Sequence, residues 1–147
     1  MWLDPSGVQK NFDEIVTQID DECEVFVGSD SQLTSGAWIF ATVICLYWPG
    51  KGGKYFFKRD VKVKSTFACL EDRLLSEVHS SVTIADQIRQ TKPDLQIHVH
   101  ADIASSPKHR SNRVAKIAQN YITGMGFLPA IKPDSWAAGT IADKLTR

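Results

Sequence analysis

Apolar residues recur at helical spacing over residues 7–20, where Val8, Phe12, Ile15, Val16 and Ile19 share one side and predict a short amphipathic helix. The next stretch, EVFVGSDSQ from Glu24 to Gln32, begins as a buried strand and turns polar at Gly28, leaving Asp30 where the apolar run ends. The run AWIFATVICLYW is rich in β-branched and aromatic residues, PGKGG has turn chemistry, and the second half of YFFKRDVKVK alternates polar with apolar. Together these predict an antiparallel meander of three strands. From Thr66 to Gln90 the period changes, and Leu70, Leu74, Val78, Ala85 and Ile88 line one side of a long helix that stops before Lys92-Pro93. DLQIHVHAD is the next strand. A basic helix follows from Ser106 to Thr123, stopped by Gly124 and Gly126, and then a short strand, FLPAIK. Pro133, Asp134 and Ser135 open a last helix, SWAAGTIADKLTR, with Asp134 or Ser135 as its N-cap.

At 147 residues this is the length of one domain with its own core, read as an N-terminal helical segment over 1–22 and a core over 23–147. No apolar run approaches the ~20 residues needed to cross a bilayer. MWLDPSGVQK has neither the basic start nor the apolar centre of a signal peptide, so the cytoplasm is the expected location. Cys23, Cys45 and Cys69 form no CxxC or Cys/His cluster and read as reduced, partly buried thiols. The 17 basic and 17 acidic side chains cancel, which argues against nucleic-acid binding by bulk charge alone. Their distribution is uneven, however. Lys58, Arg59, Lys62 and Lys64 belong to a basic group in the middle of the chain, and Lys108, His109, Arg110, Arg113 and Lys116 form a second.

A meander followed by helix, strand, helix, strand resembles the ribonuclease H-like fold: a mixed five-stranded sheet, three antiparallel strands then two parallel, flanked by helices. The resemblance implies two divalent cations held by acids on the first strand, the first helix after the meander, the end of the fourth strand and the last helix. Those places hold Asp30, Glu77, Asp102 and Asp143. The chemistry has its own logic, because phosphodiester hydrolysis needs charge neutralised on the entering and leaving oxygens, and hard cations such as Mg²⁺ or Mn²⁺ need oxygen ligands. Periodicity puts Glu77 within roughly 20° of Leu70, on the sheet-facing side of its helix, with the rival Glu71 about 80° further toward solvent.

Each acid also has a duller explanation. Asp30 would begin an Asx turn, Glu77 would pair with Arg73 one turn earlier, Asp102 would be a strand-end turn residue, and Asp143, off the Ile141 and Leu145 stripe, would lie on the surface. In their joint order the four favour a metal site. VGSDSQ, HVHADI, the basic segment leading to ITGMGF, and KPDSWAAGTIADK together resemble the YkuK-like family of ribonuclease H-like proteins.

Three other motifs compete with this reading. His98, His100 and Asp102 share one strand face and approximate a zinc signature, but Ile103 stands where a further histidine is required. Gln32 occupies the second acidic place of the DxE pair of related exonucleases. Actin-like ATPases share the topology but need two such domains. The expected function is a two-metal nuclease acting on RNA or DNA, with 3′-hydroxyl and 5′-phosphate products implied by the resemblance. Lys108, Arg110, Arg113 and Lys116 are expected on substrate phosphates, with Ser105 and Ser106 nearby. The alternatives are a catalytically inactive nucleic-acid-binding or adaptor domain and a nucleotide phosphohydrolase. Trp38, Trp48 and Trp136 are stacking candidates for which core packing is the simpler use.

Overall fold

The fold is that of a computed structural model describing residues 1–106, 108 and 112–147. In chain order its elements are β1 (Trp2–Leu3), β2 (Gln9–Lys10), α1 (Phe12–Val16), β3 (Glu24–Thr34), β4 (Ala37–Trp48), β5 (Gly52–Val63) and α2 (Leu70–Thr91). There follow β6 (Ile97–Ala101), α3 (Asn112–Gly124), β7 (Leu128–Ala130), a π-helical turn (Ala137–Ala142) and α4 (Asp143–Leu145). The strands form one sheet in the order β2-β1-β5-β4-β3-β6-β7. Strands β3, β4 and β5 are antiparallel, and β6 and β7 run parallel to β3, as the expected five-stranded arrangement requires. The sheet has seven strands rather than five, because β1 and β2 add a small hairpin at the β5 edge.

That hairpin corrects the helix expected over 7–20. The Asp4 carboxylate accepts the backbone N–H groups of Ser6 and Val8, and Gly7 adopts φ 84°, so the segment turns instead of winding, and Val8 is 52 % exposed. Helix begins only at Asn11, whose side chain accepts from the Glu14 N–H while Glu14 reaches back to the Asn11 N–H. Ile15, Val16 and Ile19 are buried as expected. Other boundaries also moved. Lys64–Thr66 is a 3₁₀ turn and α2 starts four residues after Thr66, while the described part of α3 is Asn112–Gly124 and Ser106, the expected helix start, is not helical. Cys23 and Cys45 are buried and Cys69 is exposed; all three are free thiols.

Alternation along β3 sends its residues to two layers. Val25 and Val27 join Ile44, Leu46, Ile97 and Val99 beneath α2, where Val78, Val82, Ala85 and Ile88 close the larger core. Each such side chain contributes about 1.5–3 kcal/mol on burial, so this layer dominates stability. Polar positions continue the same side: Ser29 hydroxyl bonds with Thr42 and Ser81 at 3.0 and 2.8 Å. On the opposite face Phe26, Val43, Cys45 and Phe57 lie under Ala137, Ala142 and Leu145. The last helix sits unusually close there. A Cβ on Gly28 would lie 2.6 Å from the Ala138 nitrogen, so only glycine lets this backbone reach the strand.

Candidate active site

Strand β6 pairs with β3 only from Val25 to Ser29, whereas β3 runs on to Thr34 against β4. Among the described residues no strand pairs with the β6-facing edge of β3 beyond Ser29, at the point where strand order reverses and open α/β sheets place their ligands. Asp30 is the first residue past the pairing. It lies in mid-strand, not at a strand end, which removes the Asx-turn explanation. Its side chain is on the face of the last helix, where Asp143 stands within hydrogen-bonding reach.

The other acids approach this edge from different elements. Glu77 comes from α2 and is 4 % exposed, as its helical phase predicts. Its Oε2 accepts from the Ser31 hydroxyl at 2.5 Å and from the Arg73 guanidinium at 3.3 Å. The pairing with Arg73 is therefore real and coexists with a place at the site. Asp102 directly follows β6, on the side of the last helix, and a Cβ on Gly139 would come within 3.1 Å of its Oδ1. Asp143 is half-buried, not a surface residue, because a π turn precedes it. The i→i+5 turn inserts an extra residue and changes the face that Asp143 presents relative to a regular α-helix.

Charge accumulates at Asp30. Burial raises its pKa to about 7, with the Asp143 hydrogen bond and the charges of Asp102 and Asp143 adding to the rise and the Ser31 N–H opposing it. Glu77 is also pushed well up by burial, then by the charge of Asp30, while Ser31 and Arg73 oppose. Three acids each have a cation: Arg73 for Glu77, Lys132 at 3.4 Å for Asp102, and Arg147 at 2.7 Å for Asp143. Among the described residues Asp30 makes no ion pair.

The four acids feel one another but do not form a closed cage, and among the described residues no group of three or more His, Cys, Asp or Glu is set to hold a metal ion. The donor set nevertheless fits a hard divalent cation: it is all oxygen, and its central member is a buried carboxyl whose proton a cation would displace. Glu71 is displaced from this centre and faces Arg113 at 3.6 Å.

Of the expected phosphate-binding residues, Lys108, Arg113 and Lys116 are exposed, the last two on the first turns of α3. Arg110 and His109 lie outside the described residues. His100 is used structurally, its Nδ1 accepting the Ala137 N–H at 3.1 Å. Burial, with a smaller contribution from His98, lowers its pKa to about 4. The unfolded chain therefore takes up the proton first, and folding stability contributed here is lost as pH falls from about 6.5 toward 4. His100→Asn keeps an acceptor without this titration. Its stability should be less sensitive to acid across that window, by on the order of 3 kcal/mol relative to wild type, measured by denaturant unfolding at pH 7 and pH 4.5.

Sequence reasoning missed Ser31 and Lys132. Period-two alternation along β3 puts Ser31 on the side opposite Asp30, facing α2, and is the signal that could have found it. No local signal marks Lys132, which reaches Asp102 because its N–H bonds the Ile103 carbonyl beside β6.

A mixed sheet with an acidic set at its reversal point defines a ribonuclease H-like α/β protein. The chain belongs to the ribonuclease H-like family, whose family model matches residues 8–147, in agreement with the YkuK-like resemblance of its motifs. No curated protein and no solved structure matches it. Among the described residues no helix is long and apolar enough to cross a membrane.

Proposed function

We propose that the protein is a metal-dependent nuclease that hydrolyses phosphodiester bonds of RNA or DNA. The observation that carries this reading is Asp30: buried, one residue past the β3–β6 pairing, in the field of other acids, and without an ion pair among the described residues. Family membership supports it. Asp30, Glu77, Asp102 and Asp143 would hold two Mg²⁺ or Mn²⁺ ions, which supply charge neutralisation on the entering and leaving oxygens. The protein's own side chains prepare the place. Ser31 and Arg73 fix the Glu77 carboxylate, Lys132 and Arg147 hold Asp102 and Asp143, and Gly139 leaves room beside Asp102. Lys108, Arg110, Arg113 and Lys116 follow Asp102 in the chain and are assigned to the substrate backbone, where phosphate contacts orient without reading sequence.

The second reading is a ribonuclease H-like nucleic-acid-binding or adaptor domain without turnover. The ion pairs on three of the four acids favour it. Labelled RNA, DNA, hybrid and branched substrates with Mg²⁺ or Mn²⁺, together with calorimetric titration of Mn²⁺, separate the two. The nuclease takes up two ions, cleaves at least one substrate, and loses about 100-fold or more of its rate in Glu77→Gln. Oligonucleotide binding with neither Mn²⁺ uptake nor cleavage leaves the adaptor.

A further inference from the structure

Outside the acidic site, the described part of the last helical segment borders a second concavity. A cavity of about 190 Å³ opens between β4, β5 and the π turn, lined chiefly by Cys45, Tyr47, Tyr55, Trp136 and Ile141. Two of its walls are aromatic rings left open to solvent, Tyr47 at 41 % and Trp136 at 38 % exposed. Trp136 is not loose. Its ring packs on Phe26 at 4.7 Å and edge-on to His100 at 5.2 Å, and the next residue's N–H is fixed by His100, so the exposed part of the indole is held in one orientation.

The chemistry of this groove selects its occupant. Flat apolar walls match a flat heterocycle, and the Lys144 ammonium, 5.6 Å over the Tyr55 ring, provides a cation at the rim. Lys54 also contributes to the wall, but its ammonium is engaged by Gln18 at 2.7 Å. A second copy of the chain would need a far larger contact than so small a cavity offers. A base within a duplex is stacked between neighbours and has no free face to present. Lys144 adjoins Asp143 in sequence, and Trp136 lies seven residues before Asp143, about 10 Å along a helix. The groove therefore runs beside the same helical segment that delivers an acid to the active site.

We propose that this groove receives an unpaired base of single-stranded nucleic acid, stacked on Trp136 and Tyr47 with a neighbouring phosphate at Lys144, on a strand that continues to the acidic site. The proposal rests on the nuclease reading for its direction toward Asp30, and it assigns that site a single-stranded substrate or single-stranded overhang. Stacking of this kind is tolerant of sequence.

Binding is measured by fluorescence anisotropy with a labelled oligothymidylate and with the same oligonucleotide annealed to its complement, in an Asp30→Asn background that prevents cleavage. Trp136→Ala and Tyr47→Ala are each expected to weaken single-strand binding by about 5- to 150-fold, with duplex binding unchanged. Trp136→Phe and Tyr47→Phe should recover most of the affinity. Tyr47→Ala serves as the second variant because this ring is 41 % exposed on strand β4, whereas loss of Trp136 also removes packing on Phe26. Wild-type-like single-strand binding by both alanine variants overturns the proposal, and so does a background protein that binds only duplex. Ring-dependent single-strand binding in a protein that cleaves nothing leaves the groove standing and removes the nuclease reading.

Discussion

Asp30→Asn is expected to abolish phosphodiester cleavage and, at neutral pH, to make the protein more stable than the wild type. The two effects have one cause. The pKa of Asp30 rises from an ordinary 3.8 to about 7, so the folded protein holds its proton more tightly than the unfolded chain does. Stability associated with this group is present at low pH and is lost as pH rises through that interval. Asparagine keeps the shape, accepts the same Ser31 N–H and carries no charge to repel Asp102 and Asp143. The gain should be small near pH 4 and reach about 1–3 kcal/mol by pH 8, a rise in Tm of about 2–10 °C. Thermal unfolding across that range, beside a cleavage assay, tests both effects. An asparagine variant that still cleaves at the wild-type rate would remove Asp30 from the chemistry. One that is less stable at pH 8 would show that the acids around it are already neutralised.

A second large effect is expected at a residue with no functional group. Gly28→Ala should cost about 2–3 kcal/mol of stability and most of the activity, because the new Cβ would sit 2.6 Å from the Ala138 nitrogen and 2.8 Å from the Ala137 carbonyl carbon. Backbone cannot yield as a flexible side chain can, so the last helix must lift from the sheet. That movement separates Asp143 from Asp30 and loosens Ala137, Ala142 and Leu145 over Phe26. Gly124→Ala is the control, since a Cβ there meets nothing within 4 Å. Unfolding midpoints and cleavage rates of the two variants should diverge, with Gly124→Ala close to the wild type. Equal behaviour would mean that close approach at Gly28 does not matter to the site.

Much of this was legible before any coordinates. Alternation and helical phase place Val25, Val27 and Glu77 correctly because each depends only on its own element, and Glu77 falls on the sheet-facing side of α2 whatever packs against it. The order of elements was enough for the core of the sheet. Local chemistry misled where a short-range signal outweighed the period: Asp4 and Gly7 turn the chain before the apolar spacing of 7–20 can wind it.

What the chain alone determined is the order of the core elements from β3 onward, the face each buries and the acids they carry, since these follow from periods of two and 3.6 and from turn chemistry within a few residues. Only the tertiary structure decided that β6 ends level with Ser29, one residue short of Asp30, that a π turn brings Asp143 inward, and that Lys132, Arg73 and Arg147 each take one acid while Asp30, with no ion pair among the described residues, holds its proton instead. These are relations between segments far apart in the chain. They are set by how closely two backbones can approach and by how buried charges settle among their neighbours, and no window of sequence contains both partners.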